Sequence, residues 1–184
     1  MKQNRSLLLA FGLLVLAASL YRVWPDRPFG FAPQWAMAIF GGAVIKDKRL
    51  AFLFPLLSIF ISDTLYQLMF QNGATQIWGF YEGQLTNYIL FASLTVFGLM
   101  IRKINWIKII AASLAAPSAY FLISNFLVWV SGGGYHRATL MEAYVDGIPF
   151  YQMSMVATLV FSGVLFGTYF LIRDQSLQPK HQLA

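Results

Sequence analysis

The sequence predicts an all-α membrane protein, a bundle of six transmembrane helices with both termini in the cytoplasm. Hydrophobic residues make up 58% of the 184 residues, charged residues make up only 11%, and the mean hydropathy is +0.61. Soluble domains carry about 25% charged residues, so much of this surface needs lipid as its solvent. Six apolar runs separated by short connections supply the helices.

Most of the runs are near or above the length that crosses a hydrocarbon core of about 30 Å at 1.5 Å per residue. The second run contains Gly41 and Gly42 and reaches only roughly 20 Å. It is therefore buried among its neighbours, extended into its flanks or partly re-entrant, and the sequence leaves all three open. The predicted helices are about 7–24, 33–45, 50–70, 85–101, 107–130 and 150–172. They form a single transmembrane domain over 1–173, followed by a disordered cytoplasmic tail over 174–184.

Basic residues set the predicted orientation. Ten of the 13 Lys and Arg residues fall at the N-terminus, at the C-terminus and in alternate connections, and the other connections carry only Arg22, Arg27 and Arg137. The positive-inside rule places the richer set in the cytoplasm, which requires an even number of crossings. This pattern also explains the net charge of +6 better than binding to nucleic acid does, and it predicts a multi-pass protein of the bacterial inner membrane that contacts lipid.

The first run has an alternative interpretation as a cleaved signal peptide. Residues 1–19 combine a basic start with an apolar run and with Val15-Leu16-Ala17 as a cleavage site. Cleavage would leave five helices in the same orientation. The six-helix prediction is preferred because the apolar run continues to Trp24.

Catalytic and metal chemistry are not expected. The chain has no cysteine, and its two histidines, His136 and His181, are far apart. No phosphate-binding G-x-x-x-x-G-K-[ST] motif and no nucleophile–base pair is evident. The sequence therefore predicts neither an enzyme nor a bound cofactor.

Polar side chains gather at one depth of the predicted bundle, in the outer half of four different helices. The most informative is Asp63, because a carboxylate inside a membrane helix costs roughly 2.5–3.5 kcal/mol and needs a partner or a wet cavity. Arg22 and Arg27 are candidates to pair with it or with an anionic substrate. Interhelical hydrogen bonds that only hold the bundle together are the alternative, worth about 0.6 kcal/mol each. The predicted substrate-binding residues are Asp63, Asn125, Trp129, Gln152, Tyr66, Trp35, Asn87 and Arg27.

Two outer connections are predicted to cover this pocket as lids. Residues 22–33 read RVWPDRPFGFAP, which is stiff and not helical because of its prolines. Residues 131–150 form a long connection in which Gly132, Gly133 and Gly134 are candidates for a hinge.

Several segments resemble a known family. They are PQWAMAIFGGA at 33–43, FPL and ISD at 54–63, FLISNFLVW at 121–129 and GIPF at 147–150. They resemble a bacterial family of uncharacterised six-helix membrane proteins, domain of unknown function 6580. The role proposed for that family is transport. That family is similar in size and topology to the substrate-binding S components of energy-coupling-factor (ECF) vitamin transporters.

This resemblance implies a bundle that captures a vitamin-like molecule from outside and works with separate ATPase and transmembrane coupling subunits. The first helix lacks the Ala-x-x-x-Ala docking signature that S components often carry, so Ala38 with Gly42, or the alanines between Ala111 and Ala116, would have to replace it. Capture of a small, ring-containing solute is the preferred hypothesis. A non-transporting scaffold, like cell-shape proteins with the same type of bundle, and a solitary proton-coupled transporter that titrates Asp63 are the alternatives.

Overall fold

The protein is all-α in a computed structural model that describes residues 5–132 and 139–177, with side chains for 10–132 and 139–173. The helical elements in these ranges are α1 (Arg5–Arg22), α2 (Gln34–Val44), α3 (Lys48–Gln71), α4 (Gln84–Ser93), α5 (Thr95–Leu99), α6 (Trp106–Val130) and α7 (Leu140–Leu177). Helices α4 and α5 together form one apolar stretch, Gln84–Leu99. The predicted all-α class is confirmed for this part of the chain.

Three helical segments within the described ranges are long and apolar enough to cross a membrane: Lys48–Gln71, Trp106–Val130 and Leu140–Arg173. Between 22% and 39% of their most apolar windows is buried inside the bundle. Large apolar side chains cover much of the remaining surface, such as Ile107 (82% exposed) and Leu171 (68%). An apolar exterior of this extent is suited to lipid and not to water.

The short helix α2 is the central element of the bundle. Nine of its 11 residues are buried, and it packs against α3, α5, α6 and α7. A helix of this length extends only about 16 Å, and it is apolar on all sides, as expected of a helix surrounded by protein. The sequence left three arrangements open for the second apolar run. The structure shows the first of them, because α2 is buried among neighbouring helices.

Two glycines allow α2 and α5 to touch through their backbones. A Cβ atom on Gly98 would overlap with the carbonyl oxygen of Ile39, and one on Gly42 would overlap with that of Thr95. Ala38, one turn before Gly42, is fully buried. The Ala38–Gly42 pair therefore serves packing inside the bundle and is not a free docking surface.

The last helix begins ten residues earlier than predicted. Helix α7 starts at Leu140, so residues 140–149 are helical and the predicted lid over 131–150 is wrong for that part. A capping box explains the start: the backbone N–H of Thr139 donates to Glu142 Oε2 (3.1 Å), and the N–H of Glu142 donates to Thr139 Oγ1 (3.3 Å).

The helix also continues past the predicted start of the tail, to Leu177. The hinge candidates Gly133 and Gly134, the residues His136 and Arg137, and the tail over 178–184 lie outside the described residues. Gly132 is described and has a positive φ of 63°.

Candidate functional site

A buried ion pair joins α1 to α3. Arg22, the last residue of α1, pairs through Nη1 with the carboxylate of Asp63, and the same nitrogen donates to Ser62 Oγ over 2.6 Å. The second carboxylate oxygen accepts hydrogen bonds from Gln84 Nε2 and from the hydroxyl of Tyr88 (2.9 Å). A buried charge is tolerated only when it is paired and fully hydrogen-bonded, and Asp63 meets both conditions. Arg22, and not Arg27, is therefore its partner.

Tyr66 fixes the position of Arg22 through two contacts. Its hydroxyl donates to the carbonyl oxygen of Arg22 over 2.6 Å, and the guanidinium carbon of Arg22 lies 5.6 Å from the centre of the Tyr66 ring. The hydrogen bond satisfies a carbonyl that the end of α1 leaves without a helical partner, and the ring adds a cation–π contact. The guanidinium is thus held at one edge of an open space in the bundle.

The connection between α1 and α2, residues 23–33, covers that space and is called the cap below. Arg27 holds the cap in shape through three hydrogen bonds to backbone carbonyls. Its Nε donates to the carbonyl of Arg22 (3.0 Å), and its Nη1 donates to the carbonyls of Pro28 and Phe31 (both 3.1 Å). Ser154 on α7 donates to the carbonyl of Gly30 over 3.2 Å. The predicted covering role of this connection agrees with its position.

Gly30 is required at the contact between the cap and α7. Its φ is 81°, which favours glycine, and a Cβ there would lie 3.0 Å from both the ring and the carbonyl oxygen of Phe150. The rings of Phe29 and Phe150 lie 5.2 Å apart and close the same edge.

A second connection, residues 72–83, closes another side of this space. Gln67 Oε1 accepts from the backbone N–H groups of Gly79 (3.2 Å) and Phe80 (3.3 Å). A Cβ on Gly79 would overlap with the carbonyl oxygen of Asp63, so this loop lies directly on α3. Tyr81 then reaches the cavity, and burial, followed by the negative charge of Asp63, raises the pKa of Tyr81 above 10.0. Its hydroxyl is a hydrogen-bond donor at neutral pH.

Together these elements enclose a cavity of about 310 Å³, at the lower end of the range for small-molecule sites. Its walls are largely aromatic. Trp35 lies at their centre, 4.7 Å from Tyr120, 6.2 Å from Phe91 and 6.1 Å from Phe150 between ring centroids. Tyr120 donates to Asn87 Oδ1, so the polar edges of this wall are also connected. Flat apolar surfaces of this kind suit a ring.

Gln34 connects the wall of the cavity to α1 and α3. The residue is 1% exposed, and Nε2 donates to the carbonyl of Ala18 (3.0 Å) and to Ser58 Oγ (3.2 Å). A carbonyl oxygen needs a donor, so the amide cannot be reversed, and Oε1 has no donor among the described residues. Because Oε1 has almost no accessible surface, a ligand in the cavity would not reach it.

Four of the eight predicted site residues line this cavity: Trp35, Tyr66, Asn87 and Arg27. Asp63 does not line the cavity, but it holds Arg22, which does. The other three do not meet it: Asn125 donates to the carbonyl of Phe121 on its own helix (2.8 Å) and packs against Gly147, Trp129 is 41% exposed beside Phe126, and Gln152 is exposed. The expectation that Asn125 and Gln152 converge with Asp63 is thus wrong.

Helical phase explains these misplacements. Gln152 stands two residues from both Phe150 and Ser154, which face the cavity and the cap, so it points about 200° away from each. Asn125 is five residues beyond Tyr120, about 140° around α6 from the residue that lines the cavity. The direction in which these side chains point around their helices was therefore predicted wrongly.

The sequence analysis overlooked several cavity residues, among them Gln34, Tyr81 and Tyr120. A signal existed for Gln34, because it is the one polar residue at the start of the apolar run QWAMAIF. Across the described ranges, no group of three His, Cys, Asp or Glu side chains is placed to hold an ion. The arrangement offers recognition, with aromatic walls and two guanidinium groups.

Comparison with known proteins gives one result. Neither a curated protein nor a solved structure matches the chain significantly. A family model does match, described as a family of unknown function (DUF6580), and it covers residues 1–181 of the 184. A match over nearly the whole chain establishes that the protein belongs to the DUF6580 family.

Proposed function

We propose that the protein is a multi-pass protein of the bacterial inner membrane in which all six apolar segments cross or enter the bilayer, with both termini in the cytoplasm. Three helical segments have the length and composition to cross, and the shorter α1, α2 and α4–α5 pack among them. The excess of Lys and Arg at the proposed inner end supports the orientation.

The absence of cysteine makes a clean test of this topology. Single cysteines at Glu82, in the loop before α4, and at Lys103, in the loop before α6, should react from opposite sides of sealed vesicles with a reagent that cannot cross lipid. Labelling of both positions from the same side would contradict the orientation.

Within this topology, we propose that the protein captures a small, ring-containing solute from outside, in the cavity below the cap. The observation that carries the proposal is the aromatic cavity itself, which the rings of Trp35 and Tyr120 line beside the guanidinium groups of Arg22 and Arg27. A space that only packed the bundle would be filled by side chains.

The proposed role is binding and not catalysis. By resemblance to S components, uptake would require separate ATPase and transmembrane coupling subunits, which are proposed partners of this chain. Asp63 would act in this scheme as the anchor of Arg22. Three side chains engage its carboxylate, those of Arg22, Gln84 and Tyr88.

A matched pair of tryptophans tests the site. The full-length protein is purified gently, and retained small molecules are identified by mass spectrometry for the wild type, Trp35→Leu and Trp129→Leu. Trp35 lines the cavity and Trp129 does not, so we expect Trp35→Leu to lose the retained molecule and Trp129→Leu to keep it. Equal retention by both variants would remove the cavity as the site.

A protein that retains no molecule in either form would favour the scaffold alternative, in which the polar cluster only stabilises the bundle. Co-purification with other membrane proteins, independent of Trp35, would then be the expected result.

A further inference from the structure

We propose that the solute bound below the cap is an anion: a planar ring compound that carries a carboxylate or similar group for Arg27. This inference rests on the proposed capture function and adds the chemical class of the substrate. It follows from the charges and unused hydrogen-bonding groups of the cavity.

The charge balance of the cavity is positive. Arg22 and Arg27 both line it, and Asp63 is the carboxylate that pairs with Arg22. Arg27, half-buried in the cap, has no carboxylate partner among the described residues and is held only by backbone carbonyls. One positive charge is thus left over next to the aromatic walls, where a low dielectric strengthens its attraction for an anion.

The geometry of the Arg27 bonds leaves its outer edge available. A guanidinium has five N–H groups, and the bonds of Arg27 use Nε and Nη1. Nη2 has no acceptor among the described residues, and Arg22 likewise uses only Nη1. Charge-assisted hydrogen bonds from such groups to a carboxylate are about twice as strong as neutral ones.

Anionic groups in a membrane can also come from lipid headgroups. The rings of Trp35, Tyr120, Phe91 and Phe150 enclose the space beside the guanidinium groups, and they fit a compact ring better than acyl chains. We therefore assign the site to a soluble ring acid, and the experiment separates the two sources.

The test uses the full-length protein in nanodiscs of phosphatidylcholine alone and of phosphatidylcholine with 30% phosphatidylglycerol. Binding of 2-naphthoate is compared with binding of its neutral amide. Retained molecules are identified by mass spectrometry in parallel. We expect the acid to bind about tenfold or more tightly than the amide, because the amide loses the charge-assisted hydrogen bond to Arg27.

Two variants locate the recognition. Arg27→Gln should lower affinity for the acid about tenfold and leave the amide nearly unchanged, and Arg102→Gln, an exposed arginine at the other end of the bundle, should change neither. Because Arg27 also holds the cap together, the binding of the amide by Arg27→Gln is the control that the cavity has kept its shape. Unchanged affinity of Arg27→Gln for the acid would overturn the inference.

The outcomes are distinguishable. Retention of a neutral or cationic ring compound, or equal binding of acid and amide, overturns the anion inference and leaves the capture function standing. The ring class is overturned if phosphatidylglycerol is recovered in place of a ring acid and the acid meets competition only in the discs that contain phosphatidylglycerol. Absence of any bound or retained molecule overturns both proposals.

Discussion

The two ends of the bundle are built on opposite principles. At the end that carries the cap, helices are held apart by aromatic rings and connected through polar side chains around Arg22 and Asp63. At the other end, α2 and α5 touch through the backbones of Gly42 and Gly98 with no space between them. A single short helix, α2, contributes to both, since Gln34 starts it and Gly42 nearly ends it.

This contrast teaches how a small bundle keeps a cavity. Opening a space among helices costs packing energy, and the bundle offsets that cost by close contact elsewhere. Substitutions at the close-packed end should therefore reduce stability first, and substitutions at the cap end should reduce ligand retention first. Four changes test that separation.

The largest effect is expected from Gly98→Ala. The new Cβ would overlap with the carbonyl oxygen of Ile39, and neither backbone can move without separating α2 from α5. We expect a loss of more than about 3 kcal/mol in the free energy of unfolding, seen as poor folding yield and a lower Tm. Gly163→Ala is the control, because a Cβ at that helical glycine meets nothing within 4 Å. Similar yields and Tm values for both variants would show that α2 and α5 are not in backbone contact.

Asp63→Asn comes next. It leaves the positive charge of Arg22 without its partner, and we expect a loss of about 3 kcal/mol, at the low end for a buried pair because the Arg22 side chain is 25% exposed. The double variant Arg22→Gln with Asp63→Asn should recover part of this loss. A double variant as unstable as the sum of the single changes would contradict a direct pairing.

Gly79→Ala should separate stability from binding. The added Cβ would overlap with the carbonyl of Asp63 and push the loop over 72–83 away from α3, which would displace Tyr81 from the cavity. We expect a modest loss of about 1–2 kcal/mol in stability together with loss of the retained molecule. Gly73→Ala, also in this loop but with nothing within 4 Å, is a control for retention, although its φ of 71° adds local strain. Full retention by Gly79→Ala would show that the loop does not help to close the cavity.

The smallest effect is expected from Tyr120→Phe. The change removes the hydrogen bond to Asn87 and keeps the ring beside Trp35, so stability should fall by about 1 kcal/mol in thermal or denaturant unfolding. A loss above about 3 kcal/mol would indicate that this bond is part of a larger network.

The sequence predicted the general character of the site but only some of its residues. It placed Asp63 where a carboxylate needs a partner, named Arg22 as one of two candidates, and identified residues 22–33 as a cover. It assigned Asn125 and Gln152 to the site because they were predicted to lie at the same depth as Asp63, and the structure turns both away from the cavity. Polarity and depth can be read along a chain, but the direction of a side chain around its helix depends on the neighbours that the helix packs against.

The start of α7 shows a local signal that the predicted connection over 131–150 did not use. The Thr139–Glu142 capping box begins the helix ahead of Gly147 and Pro149, and both residues lie within it. Gly147 is tolerated because Asn125 of α6 occupies the space where its side chain would be. Proline at 149 lies in a helix whose neighbours hold it in place, and such contacts are not visible in the sequence.

By itself, the sequence determined the solvent and the class of this protein: with 58% hydrophobic residues in periodic runs, the chain forms helices that need an apolar environment. Only the tertiary structure decided which helix is central, which arginine pairs with Asp63 and which residues enclose the cavity. The physical reason is that composition and periodicity are properties of each segment alone. The cavity exists between segments, and it depends on where Gly42 and Gly98 let the helices meet and where the rings around Trp35 keep them apart.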